Sequence, residues 1–252
     1  MNDATGRVAE LTASLAAMRA RLTRAADAAG RRVEDITLLP VTKFFPASDV
    51  AILWRLGCRV FGESRAQEAA AKIPEFGRLV SPDPNTGPVR WHMIGHLQRN
   101  KARAVAAWAH TVHSVDSAKL AAALDSAAGE VMNDGGRTEP LDVFVQVSLD
   151  GDTARGGVDI GDPAGLDGLC AQIAQAARLR LAGLMAVAPL GADPDTAFAA
   201  LAAEHRRVLG NHPGANQLSA GMSGDLEAAV RHGSTCVRVG TALMGQRPLT
   251  SP

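Results

Sequence analysis

Short runs of Val, Ile and Leu alternate along this chain with longer Ala-rich stretches in which apolar residues return at helical spacing. The short runs, bounded by turn-forming residues, read as buried strands, and eight of them stand at 35–43, 58–64, 89–96, 110–117, 141–149, 180–188, 216–223 and 235–243. The stretches between them, at 48–57, 65–76, 100–109, 117–132, 166–178, 194–210 and 223–233, carry the period of amphipathic helices. Another helix precedes them all, at 7–29, with Gly30 placed to end it. Strand and helix repeated eight times predict a parallel sheet closed into a single (β/α)8 TIM barrel with an extra N-terminal helix. An open doubly wound sheet ranks second, because the turn after its first strand usually carries a glycine-rich nucleotide loop and residues 41–47, VTKFFPA, contain no glycine.

The turn-rich segments 81–88 and 133–140 join helix to strand, which puts them on the face of a barrel that serves stability. Segment 150–165 follows the fifth strand instead, so it belongs to the opposite face, where barrels build their sites, and it is a candidate ligand-covering loop. No internal repeat or low-complexity stretch interrupts the pattern, and one domain over 1–252 is the expectation.

Charge narrows the function. Twenty-six basic residues balance 26 acidic ones, leaving no electrostatic footprint for nucleic acid or an anionic membrane. No segment has the apolar length of a membrane span, and the first helix mixes Arg and Glu with its apolar residues, unlike a signal peptide. Cys58, Cys170 and Cys236 are too scattered for a disulfide framework, which suits a reducing, cytoplasmic setting. Tyrosine is absent, so this chain supplies no phenol as an acid or base.

Chemistry-bearing residues fall at the ends of the expected strands. Lys43 closes the first, so its stem would rise through the core with the amine at the barrel mouth. A lysine among apolar groups is a Schiff-base former; a lysine turned outwards to water is the alternative. The last strand offers Arg238, Gly240 and Thr241. Glycine lets an anion approach the backbone, threonine adds a hydroxyl, and arginine could face a ligand or sit in a structural ion pair. Ser223 could cap the helix it opens or contact phosphate. His92 reads as the neighbour of a bound ring or as a hydrogen-bonded core histidine. Glu63 and Ser64 reach the same face from the second strand, whereas Gln67 and Glu68 decorate the helix that follows. His92 and His96 lack the spacing of a metal pair.

Taken in order, VTKFFPASDV, FGESRAQE, WHMIGHLQRNK, VHSVD, GLMAVAP, LSAGMSGDLEAAV and VRVGTALMG resemble the pyridoxal phosphate homeostasis protein family over residues 37–245. The resemblance implies the alanine racemase N-terminal-domain-like barrel, with pyridoxal 5′-phosphate held as a Schiff base on Lys43. It also implies that Arg238 faces the pyridine ring and that Ser223, Gly240 and Thr241 take the phosphate. Where the family usually has asparagine followed by an aromatic residue, this chain has Ser64 and Arg65; it has Arg155 near a common lysine and His96 at a common proline. Arg155 cannot form an ordinary Schiff base, which removes one possible secondary aldehyde-capturing group.

The resemblance implies a protein that binds the cofactor and serves its intracellular homeostasis, with apo-enzymes as candidate recipients and little or no turnover; a monomer is expected, since the racemase's added domain, which supplies its dimer surface, is missing here. A slow amino-acid racemase is the alternative. It needs a second acid or base on the far face of the cofactor, which alanine racemase takes from a tyrosine of its partner's added domain. A barrel that binds another phosphate ester, with Lys43 as a charge contact, is the third reading.

Overall fold

The computed structural model describes residues 2–80 and 87–246, with side chains from residue 5 onward. Helix α1 (Asn2–Ala28) leads into β1 (Thr37–Pro40), α2 (Ala47–Arg55), β2 (Val60–Glu63), α3 (Ala66–Leu79), β3 (Arg90–Met93), α4 (Ala102–Ala106), β4 (Thr111–Val115), α5 (Ala118–Asn133) and β5 (Leu141–Ser148). The chain continues through β6 (Val158–Asp159), α6 (Pro163–Gln175), β7 (Leu179–Ala186), α7 (Pro194–Asn211), β8 (Gln217–Ser219), α8 (Leu226–Arg231), β9 (Cys236–Val239) and α9 (Thr241–Met244). All pairings are parallel, in the order β1-β9-β8-β7-β5-β4-β3-β2, and a bridge from Val41 to Gly62 joins the two ends into a barrel. That closure rules out the open sheet. Eight of the strands make the barrel, while β6 pairs only with the end of β5.

Alternation along each strand divides the core. Val143, Val145 and Val147 of β5 turn outwards into a cluster shared with Leu124, Leu166 and Phe198 of the surrounding helices, whereas Phe144, Ala182 and Met185 form a small cluster of their own inside the barrel. The inner layer above it is mostly polar, which is where function enters.

The extra helix has a packing reason. Helix α9 is four residues long, too short to cover the outer face of β9. Leu11, Leu15, Met18 and Leu22 recur at i, i+4, i+7 and i+11 along α1 and bury against the cluster that holds Val237 and Val239, so α1 covers that face instead. It stops at Ala28, and Gly30 takes a left-handed φ of 64° as expected of a C-terminal glycine. Helices α5, α6 and α7 begin where Ser117, Asp162 and Asp193 accept backbone N–H bonds, the last two with proline in the first turn. Segment 133–140 joins α5 to β5 as read from sequence; of 81–88, residues 81–86 lie outside the described residues.

Candidate functional site

At the C-terminal end of β1 the chain makes a four-residue turn, closed by Phe45 N–H donating to the Thr42 carbonyl at 3.1 Å, and Lys43 stands at its first central position. Leu39 and Val41 stand against Gly62 and Gly240 on the neighbouring strands, and Lys43 follows two residues beyond Val41, past the end of the strand. It is half-buried, with its Nζ 5.8 Å from the Phe44 ring centroid.

Arg238 lies in register with Leu39 on the neighbouring strand and is 5% exposed. It donates to Ser219 Oγ at 2.5 Å and to the Ala186 carbonyl at 2.8 Å, and among the described residues no carboxylate bonds to it. Burial lowers its pKa, and both of its partners are neutral. The ion-pair alternative for Arg238 is therefore corrected. Arg238 is thus a buried cation with neutral hydrogen-bond partners, on which the Asp225 carboxylate acts only through space.

His92 joins the same network. Its Nδ1 lies 2.8 Å from His113 Nε2, and His113 Nδ1 lies 2.9 Å from Ser219 Oγ, so Arg238, Ser219, His113 and His92 form one chain across the barrel. A guanidinium only donates, so Ser219 accepts from it and keeps its own proton for His113 Nδ1. Assigned this way, His113 donates from Nε2 to His92 Nδ1, and His92 carries its proton on Nε2. Burial presses the His92 pKa down to about 3 and that of His113 well below the usual histidine value. Both rings are neutral near pH 7, and His113 stacks on Phe144 at 4.5 Å. His92 is thus a hydrogen-bonded interior histidine, linked through His113 and Ser219 to Arg238.

The loops after β8 and β9 converge beside this network. Ser223 does not cap α8; its Oγ accepts the Ala242 N–H at 3.4 Å, while Asp225 folds back to accept the Met222 N–H at 2.6 Å. Gly240 and Thr241 stand at the same junction, Thr241 exposed. Arg21 of α1, which sequence reasoning passed over, fixes the Ser223 loop by donating to the Ser223 carbonyl at 2.7 Å and to both carboxylate oxygens of Glu227 at 2.6 Å. Its only sequence signal is an arginine on an otherwise ordinary helix face.

Ser64 is set apart from this group, in the wall of a cavity of about 1060 Å³ that also meets Phe44, Arg65, Glu68, His96 and Lys101. Arg65 lies 4.8 Å from the centroid of the Phe44 ring, and His96 is exposed, with Nδ1 4.0 Å from Asp116 Oδ2. Segment 150–165 folds through a short 3₁₀ turn at Thr153–Arg155, where Arg155 pairs with Asp150 and with Asp152. Among the described residues no group of three or more acidic, His or Cys side chains could hold a metal ion.

A close approach keeps Ser64 where it is. A Cβ built on Gly95 would come 2.2 Å from the Ser64 carbonyl oxygen, a backbone atom that cannot swing aside. We expect Gly95→Ala to lower stability by about 1–3 kcal/mol in urea unfolding. An unchanged unfolding midpoint would show that the β2 and β3 loops give way without cost.

Comparison with known proteins matches residues 13–248 to the model of the alanine racemase N-terminal domain. A relative named pyridoxal phosphate homeostasis protein, from Mycobacterium tuberculosis, is 58% identical over 248 residues, which is 98% of this chain and 96% of that one. This chain belongs to the pyridoxal phosphate homeostasis protein family. PipY of Synechococcus elongatus, solved with PLP bound, matches this family member at a TM-score of 0.77 and 34% identity, covering 93% of this chain and 100% of that one. The alanine racemase of Corynebacterium glutamicum, at 15% identity and a TM-score of 0.64, shares the fold; the match covers 94% of this chain and 60% of the racemase chain. The family membership and the TIM-barrel fold thus agree with what the seven ordered motifs implied.

Proposed function

We propose that this chain binds pyridoxal 5′-phosphate through Lys43 and serves its homeostasis, holding the aldehyde masked with little or no turnover. The observation that carries the reading is the buried guanidinium of Arg238, hydrogen-bonded to no carboxylate among the described residues, on the strand that pairs with the one Lys43 follows. The donor set suits the cofactor: an amine for an aldehyde, a buried arginine for a ring nitrogen, and a serine, a glycine turn and a threonine for a phosphate. Bound there, pyridoxal phosphate supplies an aldehyde that condenses with amines and a ring able to withdraw electrons.

The residues of the chain then divide the work. Lys43 supplies the nucleophilic amine. Ser223, Gly240 and Thr241 hold the phosphate, and the anchored Ser223 loop keeps the corner open. Arg238, held by Ser219 and the Ala186 carbonyl, donates towards the ring and keeps a proton off its nitrogen, which restrains carbanion chemistry. His92, neutral and fixed by His113, stands beside the ring, and Ser64 borders the site from the neighbouring cavity.

This reading makes the chain one cofactor-binding domain that works as a cytoplasmic monomer and passes the cofactor to apo-enzymes. Three free, buried cysteines suit that setting, and among the described residues no helix is long and apolar enough to cross a membrane. The test is the visible spectrum with added pyridoxal phosphate, before and after borohydride, followed by peptide mapping and an alanine racemisation assay. We expect a band that borohydride removes, an adduct on Lys43 and negligible racemisation. An adduct scattered over surface lysines would overturn the assignment, and rapid racemisation would replace it with the racemase.

A further inference from the structure

The peptide groups on either side of Lys43 are both held from helix α3. Lys72 Nζ donates to the Thr42 carbonyl at 2.8 Å, which pins the peptide before Lys43. Glu68 Oε1 accepts the Phe44 N–H at 2.6 Å, which pins the peptide after it. The two helix residues are themselves bonded at 2.9 Å, one turn apart. Fixing two successive peptide planes fixes the backbone torsions of the residue between them, and with those the direction in which the lysine leaves the barrel wall.

Two features say that the clamp bears a load. Phe44 has a φ of 69°, a left-handed conformation that a bulky residue adopts only when its surroundings impose it. Lys72 is 5% exposed, and its remaining donor goes to Glu63 Oε1 at 2.7 Å, where Thr42 Oγ1 also donates at 2.6 Å. Glu63 is fully buried, with its Oε2 unpartnered, and burial raises its pKa. Buried charge of this kind is no aid to stability over a well-packed apolar cluster, so what it contributes here is geometry. Every donor of the Lys72 ammonium is used, two on the clamp and one on the carboxylate behind it.

We infer that Glu68 and Lys72 are positioning residues for Lys43, setting the angle and reach of its amine towards an incoming aldehyde. The inference rests on the reading of Lys43 as the cofactor lysine.

The test uses the full chain as Glu68→Ala, Glu68→Gln and Lys72→Met. Three things are measured: amide hydrogen exchange at Phe44 without ligand, the rate and affinity of Lys43 labelling by pyridoxal phosphate after borohydride trapping, and the thermal midpoint. Glu68→Ala should speed exchange at Phe44 and weaken or slow labelling by about ten-fold, the size of one charge-assisted hydrogen bond. Glu68→Gln, whose amide oxygen still accepts the Phe44 N–H, should recover most of both, and Lys72→Met should fall between them.

Labelling by Glu68→Ala at the parent rate and affinity would overturn the inference. So would equal impairment in Glu68→Ala and Glu68→Gln that merely follows their melting temperatures. A parent chain that fails to label at Lys43 would overturn the cofactor reading and this role with it, whereas the Phe44 exchange reports on the clamp independently.

Discussion

Lys43→Ala should abolish the borohydride-sensitive band and the trapped adduct while leaving the fold intact. Removing the covalent link leaves only the phosphate corner and the Arg238 network to hold the ligand. Affinity should therefore drop about 100-fold, roughly 3 kcal/mol at 1.4 kcal/mol per decade. Little stability goes with it: Lys43 is half-buried, and its described side-chain contact is the one with the Phe44 ring, worth about 0.5–1 kcal/mol. Equilibrium titration followed by absorbance, with a urea melt of the ligand-free protein beside it, reads both halves of the expectation. If the substituted chain still gave a reducible band of parent intensity, another amine would be the one that captures the aldehyde.

The fold was open to reading because its signal is repeated. Eight apolar runs were each separated from the next by a stretch of helical period, and the chain closes through Val41 and Gly62 into the barrel that this repeat predicts. Strand ends were less legible. The run at 35–43 supplies only Thr37–Pro40 as strand, since beyond the Val41 bridge the chain leaves the ladder for the turn that presents Lys43. Nor did apolar period announce β6, two residues long and held by the end of β5.

The site was legible where strand ends carry it and hidden where long side chains cross between elements. Arg238 follows from alternation along β9, and Lys43 from its place just past the end of β1. Glu68 does not: its place in the first turn of α3 suggests a surface residue, yet its carboxylate reaches back to the Phe44 N–H. Ser219 and His113 escaped for a related reason. A short polar residue inside a strand says nothing about which other strand it will meet, and they stand 106 positions apart. Arg21 is the same case from the N-terminal helix.

The neutral histidine pair makes a strong prediction about acid. In the folded chain His92 and His113 are held below the ordinary histidine range, His92 at about 3, chiefly by burial. In the unfolded chain both return to about 6.5. As pH falls through that value the unfolded chain takes up two protons that the folded barrel refuses, so stability declines, and it goes on declining until the folded pair itself protonates. Between pH 7 and 5 the loss from His92 is about 2 kcal/mol by proton linkage, and His113, held low in the same way, adds to it. His92→Gln, which keeps an acceptor for the His113 N–H, should recover one share, and a variant with both residues replaced should lose most of this acid sensitivity. Urea midpoints at the two pH values, compared between parent and variants, isolate the pair, because every other titrating group contributes equally to both chains. If the double variant lost as much stability in acid as the parent, the buried histidines would have to be protonated already in the folded protein. The proton arrangement running from Arg238 through Ser219 to His92 would then be wrong, since a doubly protonated ring has no nitrogen left to accept.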